Sequence, residues 1–272
     1  MKKAFIKMHG LGNDFAIFDG RREEIRLTSV RIQALADRHT GIGFDQMVII
    51  DLPRSPETDA FLRIYNADGS EVGACGNATR CIGKLLMAEL GKSVVVLETI
   101  AAKLAAKYAG DKICVDMGEA HLKWREIPLT NENKTDFLPI SEGGLKQPVA
   151  VGMGNPHAVF FVEDAIHVPL ETLGPRIEHH PLFPERTNVE VAQVISPTEI
   201  RMRVWERGAG ITQACGTGAC ATAVAGVRRG LTERKVTVIL DGGALEIEWR
   251  ESDGHVLMTG DAVEVYRGEV SV

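Results

Sequence analysis

Apolar and polar residues alternate in several short stretches of the chain, and this period of two predicts β-strands. In the stretch 200–206, IRMRVWE, apolar residues alternate with two arginines. The stretch 4–19, AFIKMHGLGNDFAIFD, has two apolar runs around a glycine-rich turn, which predicts a hairpin. The stretch 235–249, KVTVILDGGALEIEW, predicts two strands joined by an Asp-Gly-Gly turn.

Two other stretches carry their apolar residues at helical spacing. Residues 77–90 and 217–229 are each predicted to form a helix, and these helices end at Gly91 and Gly230. The second helix is unusually rich in small residues, which is typical of a central helix packed closely on all sides. Each helix begins directly after an Ala-Cys-Gly tripeptide.

The sequence contains an internal repeat. The segment GLGNDFAIF at 10–18 matches GMGNPHAVF at 152–160, which lies 142 residues later, and Cys75 and Cys215 are 140 residues apart. Three further pairs follow the same order: DQMVII with TNVEVA, LRIYN with MRVWE, and DMGEA with MTGDA. Five ordered matches indicate a duplication whose period is far longer than that of a solenoid repeat.

The duplication predicts a fold of class α/β (α+β) with two pseudo-symmetric domains. Each domain is expected to be a mostly antiparallel, barrel-like sheet wrapped around one central helix. Polar residues at equivalent positions would then converge on a shared cleft, which is a usual place for a binding site. The polar stretch 129–147, near the junction of the two halves, is predicted to be loop and linker.

Charge and hydropathy exclude several classes of partner. The 272-residue chain has a net charge of −6, so it lacks the basic surplus that nucleic acids and anionic membranes attract. No stretch approaches the roughly 20 apolar residues of a membrane-spanning helix. The first ten residues, MKKAFIKMHG, are too short and too interrupted for a signal peptide. We therefore expect a cytoplasmic protein with no nucleic-acid or membrane partner.

The five cysteines allow several interpretations. An odd number in a cytosolic chain argues against a disulfide framework. The Cys75–Cys81 and Cys215–Cys220 spacings are near those of zinc ligands. A helix, however, turns each pair about 240° and about 140° apart, so neither shares a face. We therefore expect no metal site, and we interpret Cys81, Cys114 and Cys220 as small buried apolar residues.

A role as reactive thiols explains Cys75 and Cys215 better than a role as core residues. Both are followed by a glycine and a polar residue at the start of a helix. A helix N-terminus lowers the pKa of a thiol. The N–H groups of the first turn, from Gly76, Asn77, Gly216 and Thr217, are positioned to hold a carboxylate. Two thiols on opposite faces of an α-carbon are what inversion requires, since one removes a proton and the other delivers one. The carbanion would be stabilised by the bound carboxylate without a cofactor.

Seven motifs together resemble the diaminopimelate epimerase family: HGLGNDF, GIGFDQ, YNADGS, ACGN, GNPHAV, RTNVE and ERGAGITQACGTGACA. The resemblance implies two domains of one fold, 1–117 with the returning residues 263–272, and 118–262. It also implies conversion of LL- to meso-diaminopimelate for lysine and peptidoglycan synthesis, without a cofactor. The implied partner is this small molecule alone, and a homodimer is the oligomeric state that we keep as a hypothesis.

The resemblance also implies roles for individual residues. Cys75 and Cys215 correspond to the acid/base pair, and His157 and Glu206 to supporting catalytic residues. The implied substrate contacts are Asn13, Gln46, Asn66, Gly76, Asn77, Asn155, Asn188, Glu206, Arg207, Gly216 and Thr217. Glu206 and Arg207 would meet the distal ammonium and carboxylate of the substrate. The family usually has Gly-Ala where this chain has Ala78-Thr79.

Simpler roles remain open for several of these residues. His157 would cap a loop, Glu206 and Arg207 would form a surface ion pair, and Asn13 and Asn155 would be turn residues. At the level of function, the alternatives are a racemase for another amino acid, a thiol-redox or metal-binding module, and a non-enzymatic anion-binding domain. Oxidation joining Cys75 to Cys215 is a further hypothesis.

Overall fold

The computed structural model describes residues 2–272, which form two compact units. The first contains the chain up to Val115 together with Gly260–Val272, and the second contains Asp116–Thr259. No helix in this described range is long and apolar enough to cross a lipid bilayer.

The first unit has two helices among its strands. Its elements are β1 (Lys2–Gly10), β2 (Asn13–Asp19), α1 (Ser29–Ala36), β3 (Gln46–Asp51), β4 (Ala60–Asn66), β5 (Glu71–Val72), α2 (Gly76–Leu90), β6 (Val94–Glu98) and β7 (Lys103–Ala109). Strand β8 (Lys112–Glu119) leads into the second unit, and β19 (Val263–Ser271) belongs to the first.

The second unit is built from a similar set of elements. These are β9 (Ser141–Glu142), β10 (Leu145–Lys146), β11 (Val149–Gly152), β12 (Pro156–Phe161), α3 (Leu170–Glu178), β13 (Asn188–Ser196), β14 (Glu199–Glu206), β15 (Gly210–Ile211), α4 (Gly216–Arg228), β16 (Lys235–Leu240), β17 (Gly243–Trp249) and β18 (His255–Gly260).

The same succession of strand pairings occurs in both units. In the first, β1 and β2 form a hairpin, β2 runs parallel to β3, and β3 is antiparallel to β4. Strand β4 is antiparallel to β5 and parallel to β6, which forms a hairpin with β7. In the second, β11 to β17 repeat each of these steps in order. The mixed, mostly antiparallel fold and the predicted hairpins are confirmed.

Helix α2 begins after Cys75, whose backbone is extended (φ −149°), and ends at Gly91, whose positive φ of 62° stops the helix. The helix packs on β1, β6 and β7. A Cβ at Gly83 would lie only 2.5 Å from the Cβ of Ala106 on β7, so glycine is needed for this close approach.

The C-terminal residues belong to the sheet of the first unit. Strand β19 pairs antiparallel with β1 from Lys2↔Ser271 to His9↔Val263. The Lys84 ammonium of α2 donates a hydrogen bond to the Ala262 carbonyl at 2.8 Å, which ties the start of this return to the helix.

Helix α4 begins after Cys215 and is followed by Gly230, which has φ 67°. Its residues from Gly218 to Gly226 are all buried, and it packs on β11 to β14, β16 and β17. The prediction of a central helix made from small residues is confirmed, because small side chains let strands approach from every side.

The prediction that residues 129–147 form a loop is confirmed outside two short strands, but the prediction that they link the two domains is wrong. This stretch lies inside the second unit and contains the short hairpin β9–β10. Four apolar residues within it belong to the hydrophobic core: Leu129, Leu138, Ile140 and Leu145. Polar residues separate these four apolar residues and dominate the composition of the segment. The sequence therefore has the composition of a linker, although its apolar side chains are buried in the second unit.

Candidate active site

Asn13 contacts two other predicted site residues of the first unit, Cys75 and Asn77. It starts β2, directly after a turn in which Leu11 and Gly12 have positive φ angles of 56° and 83°. Its Oδ1 accepts a hydrogen bond from Asn77 Nδ2 at 3.2 Å and from the Cys75 thiol at 3.9 Å. An amide at the hairpin turn therefore contacts both the half-buried sulfur and the first turn of α2.

Gln46 and Asn66 form a second amide pair in this unit. They are opposite one another where β3 begins and β4 ends, and Gln46 Nε2 donates to Asn66 Oδ1 at 3.0 Å. Asn66 Nδ2 donates in turn to the Ser70 hydroxyl at 3.1 Å. The Gln46 Oε1 atom is buried and has no hydrogen-bond donor within residues 2–272, which leaves an acceptor for a ligand.

An ionic network supports Asn13 from behind. Arg38 donates to Asp14 at 2.8 Å and to Asp45 at 2.7 Å, and Asp45 Oδ2 accepts from Asn13 Nδ2 at 3.1 Å. Burial works to raise the pKa of Asp14, but hydrogen bonds from Arg38 and Lys7 outweigh burial and lower this pKa to about 2. Asp45, which the sequence analysis did not single out, therefore orients the amide of Asn13.

His157 lies at the centre of a buried polar chain in the second unit. It is in β12, is 0% exposed, and does not cap a loop. Its Nδ1 is 2.6 Å from Glu190 Oε1, and its Nε2 is 2.9 Å from Asn155 Oδ1. Asn155 Nδ2 donates to the Thr217 hydroxyl at 3.4 Å, which connects the chain to the first turn of α4.

Asn188 holds the start of the loop that carries Arg207. Its Nδ2 donates to the Pro156 carbonyl, and its Oδ1 accepts from the Arg207 backbone N–H, each at 2.9 Å. The Arg207 guanidinium donates to the Glu185 carbonyl at 3.0 Å. Asn188 is thus a buried bridge between β12 and the segment that follows β14.

Cys215 is enclosed by polar groups of its own unit. The Gly218 N–H donates to its sulfur at 3.4 Å, and the Thr217 hydroxyl is 3.6 Å from the sulfur. The Glu206 carboxylate interacts with the thiol and accepts a short hydrogen bond from the Thr212 hydroxyl. The thiol is 4% exposed.

The expected lowering of the thiol pKa by the helix N-terminus is wrong for Cys215. Burial raises the pKa of Cys215 well above its usual value, and the nearby carboxylates of Glu206 and Glu190 raise it further. The Thr217 and Gly218 hydrogen bonds act in the opposite direction but are outweighed. Burial also raises the pKa of Glu206. The Cys215 sulfur therefore keeps its proton at neutral pH.

The other cysteines fit their predicted role. Cys81 and Cys220 are 0% exposed, and Cys114 is 4% exposed. Burial raises the pKa of Cys81 to about 12, so this thiol remains protonated. Their interpretation as small buried apolar residues is confirmed. Across residues 2–272, no group of three or more His, Cys, Asp and Glu side chains is arranged to hold a metal ion.

Glu206 and Arg207 form no ion pair with each other within residues 2–272, because their side chains contact different partners. The Glu206 carboxylate lies with Thr212 and Cys215, whereas the Arg207 guanidinium reaches the Glu185 carbonyl. The surface ion-pair interpretation of these two residues is therefore wrong.

Two buried carboxylates near the candidate residues were missed by the sequence analysis. Glu190 is 0% exposed, and Glu178 is 3% exposed. The available signal was a charge at an inward-facing position: Glu190 interrupts the apolar run NVEVA, two residues after Asn188 on the same face of β13. Glu178 gave a weaker signal in the sequence, because it is the last residue of a short helix.

Comparison with known proteins identifies the family. A family model described as diaminopimelate epimerase matches residues 5–123 and 149–265. The chain is 55% identical to a diaminopimelate epimerase of Rhodospirillum centenum, over 100% of this chain and 93% of that protein. The chain belongs to the diaminopimelate epimerase family. A second relative in this family, from Phenylobacterium zucineum, is 51% identical over 99% of this chain and 98% of its own length.

Solved structures of other proteins share the fold of this family member. A probable proline racemase from Agrobacterium radiobacter superposes with a TM-score of 0.70 at 16% identity, covering 99% of this chain and 93% of that one. A phenazine biosynthesis protein of the PhzF family from Enterococcus faecalis superposes with a TM-score of 0.71, also at 16% identity, over 100% of both chains. At this identity the likeness concerns the fold alone.

Proposed function

We propose that this protein is a cofactor-independent epimerase that interconverts LL- and meso-diaminopimelate by proton transfer at one α-carbon. Membership of the diaminopimelate epimerase family supports the substrate and the reaction. The observation that carries the mechanism is that Cys75 and Cys215 each precede the first residue of a helix, α2 and α4, in two units with the same succession of strand pairings.

The substrate carboxylate at the reacting carbon is bound by the two helix N-termini in this proposal. The first turn of a helix has N–H groups that the helix itself cannot satisfy, and these attract an anion. Gly76 and Gly216 have no side chain beyond Cα, so a carboxylate can approach the backbone closely. Asn77 and Thr217 add polar side chains beside the same turns.

The reaction moves one proton off the carbon and another onto it. The Cys75 thiolate removes the α-hydrogen, so a C–H bond breaks and an S–H bond forms. The electron pair left on carbon spreads into the carboxylate, whose charge is already stabilised by the helix N–H groups. The Cys215 thiol then gives its proton to the opposite face, and the enzyme is left with a Cys75 thiol and a Cys215 thiolate. The reverse direction uses these groups in exchanged roles.

The raised pKa of Cys215 supports its assignment as the proton donor of the resting enzyme. Burial and the neighbouring carboxylates keep this sulfur protonated. A two-base mechanism requires one thiol and one thiolate at the start of each turnover. Cys75 is therefore the base in that state, after its thiol has lost the proton that it donates to Asn13 Oδ1 in the structure.

The polar residues divide between the two ends of the substrate. From the sequence, Glu206 is expected to contact the distal ammonium. Because Glu206 interacts with Cys215, we assign its carboxylate instead to the ammonium at the reacting carbon, with His157 behind it. Arg207 is assigned to the distal carboxylate. The buried acceptor on Gln46 favours an N–H donor of the substrate, and Asn13, Asn66, Asn155 and Asn188 complete the polar lining.

Hydrogen exchange tests this proposal most simply. The wild-type enzyme in deuterated water should place one deuterium on each inverted α-carbon of diaminopimelate, measured by mass spectrometry with chiral separation. A panel containing proline, glutamate, aspartate and lysine should show no exchange. Exchange on another amino acid, or none on diaminopimelate, would contradict the proposed substrate.

The wider setting follows from the same proposal. An epimerase for this substrate belongs to lysine and peptidoglycan-precursor synthesis, and such an enzyme works in the cytoplasm. The homodimer remains a hypothesis, which light scattering coupled to size-exclusion chromatography tests directly.

A further inference from the structure

Glu190 occupies a position where a carboxylate is costly. It is the third residue of β13, a strand between β12 and β14 in the sheet, and its side chain has no exposure to solvent. A carboxylate removed from water destabilises the folded state unless a hydrogen-bond donor or opposite charge meets it. Here one oxygen meets His157 Nδ1 at 2.6 Å, whereas the other has no hydrogen-bond partner within residues 2–272.

The contacts of His157 fix where its protons are. Asn155 Nδ2 donates to the Thr217 hydroxyl, so Asn155 Oδ1 is the atom that faces His157 Nε2, and Nε2 must carry a proton to donate. The short contact between Nδ1 and Glu190 Oε1 needs one further proton between the two atoms. With that proton on either side, the pair is neutral overall and Nε2 remains a donor.

A chain of polar contacts extends from Glu190 through His157 to the Cys215 sulfur. His157 Nε2 donates to Asn155, Asn155 donates to Thr217, and the Thr217 hydroxyl lies 3.6 Å from the sulfur. Glu190 and Cys215 are also close to each other directly, without the residues of this chain between them. A Cβ built on Gly218 would lie 2.8 Å from Glu190 Oε1 and 3.2 Å from Cys215 Sγ, so carboxylate and sulfur flank the same glycine.

We propose that Glu190 is a positioning residue of the epimerase reaction, which keeps a proton on His157 Nε2 and through Asn155 and Thr217 fixes the hydroxyl beside the Cys215 sulfur. This inference rests on the proposed function, because it assigns Cys215 to proton transfer. Glu190 itself does not touch the reacting atoms. Its contribution is to leave His157 and Asn155 only one hydrogen-bonding arrangement.

Two substitutions at position 190 separate positioning from packing. Glu190→Leu keeps much of the volume but cannot bond Nδ1, so it should lower kcat by about 10- to 100-fold. KM should stay within about threefold, because the helix N–H groups that hold the carboxylate are untouched. Glu190→Gln can donate its amide N–H to Nδ1 and preserve the Nε2–H tautomer, so it should recover most of the lost kcat.

Gln193→Leu is the matched control. It lies on the same strand, and its side chain accepts a hydrogen bond from the Ala165 N–H at 3.3 Å, away from the chain that leads to Cys215. This variant should retain wild-type kcat and KM. Wild-type kcat in Glu190→Leu, or an equal loss in the Leu and Gln variants, would overturn the proposal.

The ring nitrogens of His157 provide a readout that needs no activity. In ¹⁵N-labelled wild-type protein, with the signal assigned through a His157→Gln sample, Nε2 should be protonated and coupled to its own hydrogen. Glu190→Gln should keep this signature, and an unprotonated Nε2 in the wild type would overturn the proposal. If the wild type turned over no diaminopimelate, the proposed function would fail, while this spectrum would still decide the role of Glu190.

Discussion

The Glu178 carboxylate at the end of α3 accepts a hydrogen bond from the Trp205 indole Nε1–H at 2.7 Å and from the Gly208 backbone N–H at 3.0 Å. These two donors stand on either side of Glu206 and Arg207 in the chain. Glu178 is 3% exposed, so the two bonds are formed away from water, where losing an acceptor is most costly. One buried carboxylate thus fixes the turn that presents two proposed substrate contacts.

Replacing Glu178 by Gln should loosen this turn. An amide can accept from only one of the two donors and places its own N–H₂ against the other, which should cost about 1–3 kcal/mol of folding free energy. KM for diaminopimelate should rise by about tenfold with a smaller change in kcat. Steady-state kinetics and urea unfolding measure both effects, with Glu171→Gln as the control on the exposed side of the same helix. Unchanged KM and stability would show that the turn does not depend on Glu178.

Gln46 should matter through its oxygen. Gln46 Oε1 is buried and has no hydrogen-bond donor within residues 2–272. A substrate N–H that reaches this oxygen can form a hydrogen bond without breaking one inside the protein. Gln46→Leu removes this acceptor and also the bond to Asn66, so KM should rise by about tenfold or more. Gln33→Leu is the matched control, since that glutamine donates to the Asp68 carbonyl on the surface. Equal KM values for Gln46→Leu and the wild type would remove Gln46 from the substrate contacts.

Asp14 should make the folded state sensitive to acid. The folded-state pKa of about 2 is lower than the ordinary value of 3.8, so ionisation stabilises the folded protein above pH 3.8. This contribution, about 2 kcal/mol, should disappear as the pH falls from about 4 to about 2.

Urea unfolding as a function of pH measures this contribution. In Asp14→Asn the slope of unfolding free energy against pH should be reduced across this acid range. A loss of unfolding free energy that is equal at all pH values will come in part from Lys7. This residue is 7% exposed and would lack its carboxylate partner. Asp111→Asn, at an exposed position of the same unit, should leave the slope unchanged. A wild-type slope in Asp14→Asn would exclude this residue as a source of acid sensitivity.

Much of the architecture was predictable because local pattern and tertiary structure agree. Helices α2 and α4 have apolar or small residues at helical spacing and glycines after their ends, and β14 alternates apolar with polar residues. Helices α1 and α3 were not predicted. Helix α1 has only eight residues, and α3 contains Pro175, which in sequence indicates a break. Their stability comes from tertiary packing, which a short pattern does not reveal.

The candidate site was predictable where a residue type has a restricted use, as for a cysteine at a helix start or a repeated amide after a glycine turn. The acidity of Cys215 was not predictable. The helix N-terminus favours its thiolate, but burial and two carboxylates from β13 and β14 oppose it, and these groups are distant in sequence. Glu190 and Glu178 were missed for the same reason, since their partners His157 and Trp205 are 33 and 27 residues away.

The proposed epimerisation depends most on two-sided proton transfer by Cys75 and Cys215. Separate Cys75→Ser and Cys215→Ser variants, with Cys81→Ala and Cys220→Ala as controls on the same two helices, test it directly. The measurement is the rate of diaminopimelate inversion with deuterium incorporation at the α-carbon. Each serine variant should lose at least about 100-fold in inversion rate, while both alanine controls stay within about threefold of the wild type. A serine variant that inverts its substrate at the wild-type rate would contradict the two-cysteine mechanism.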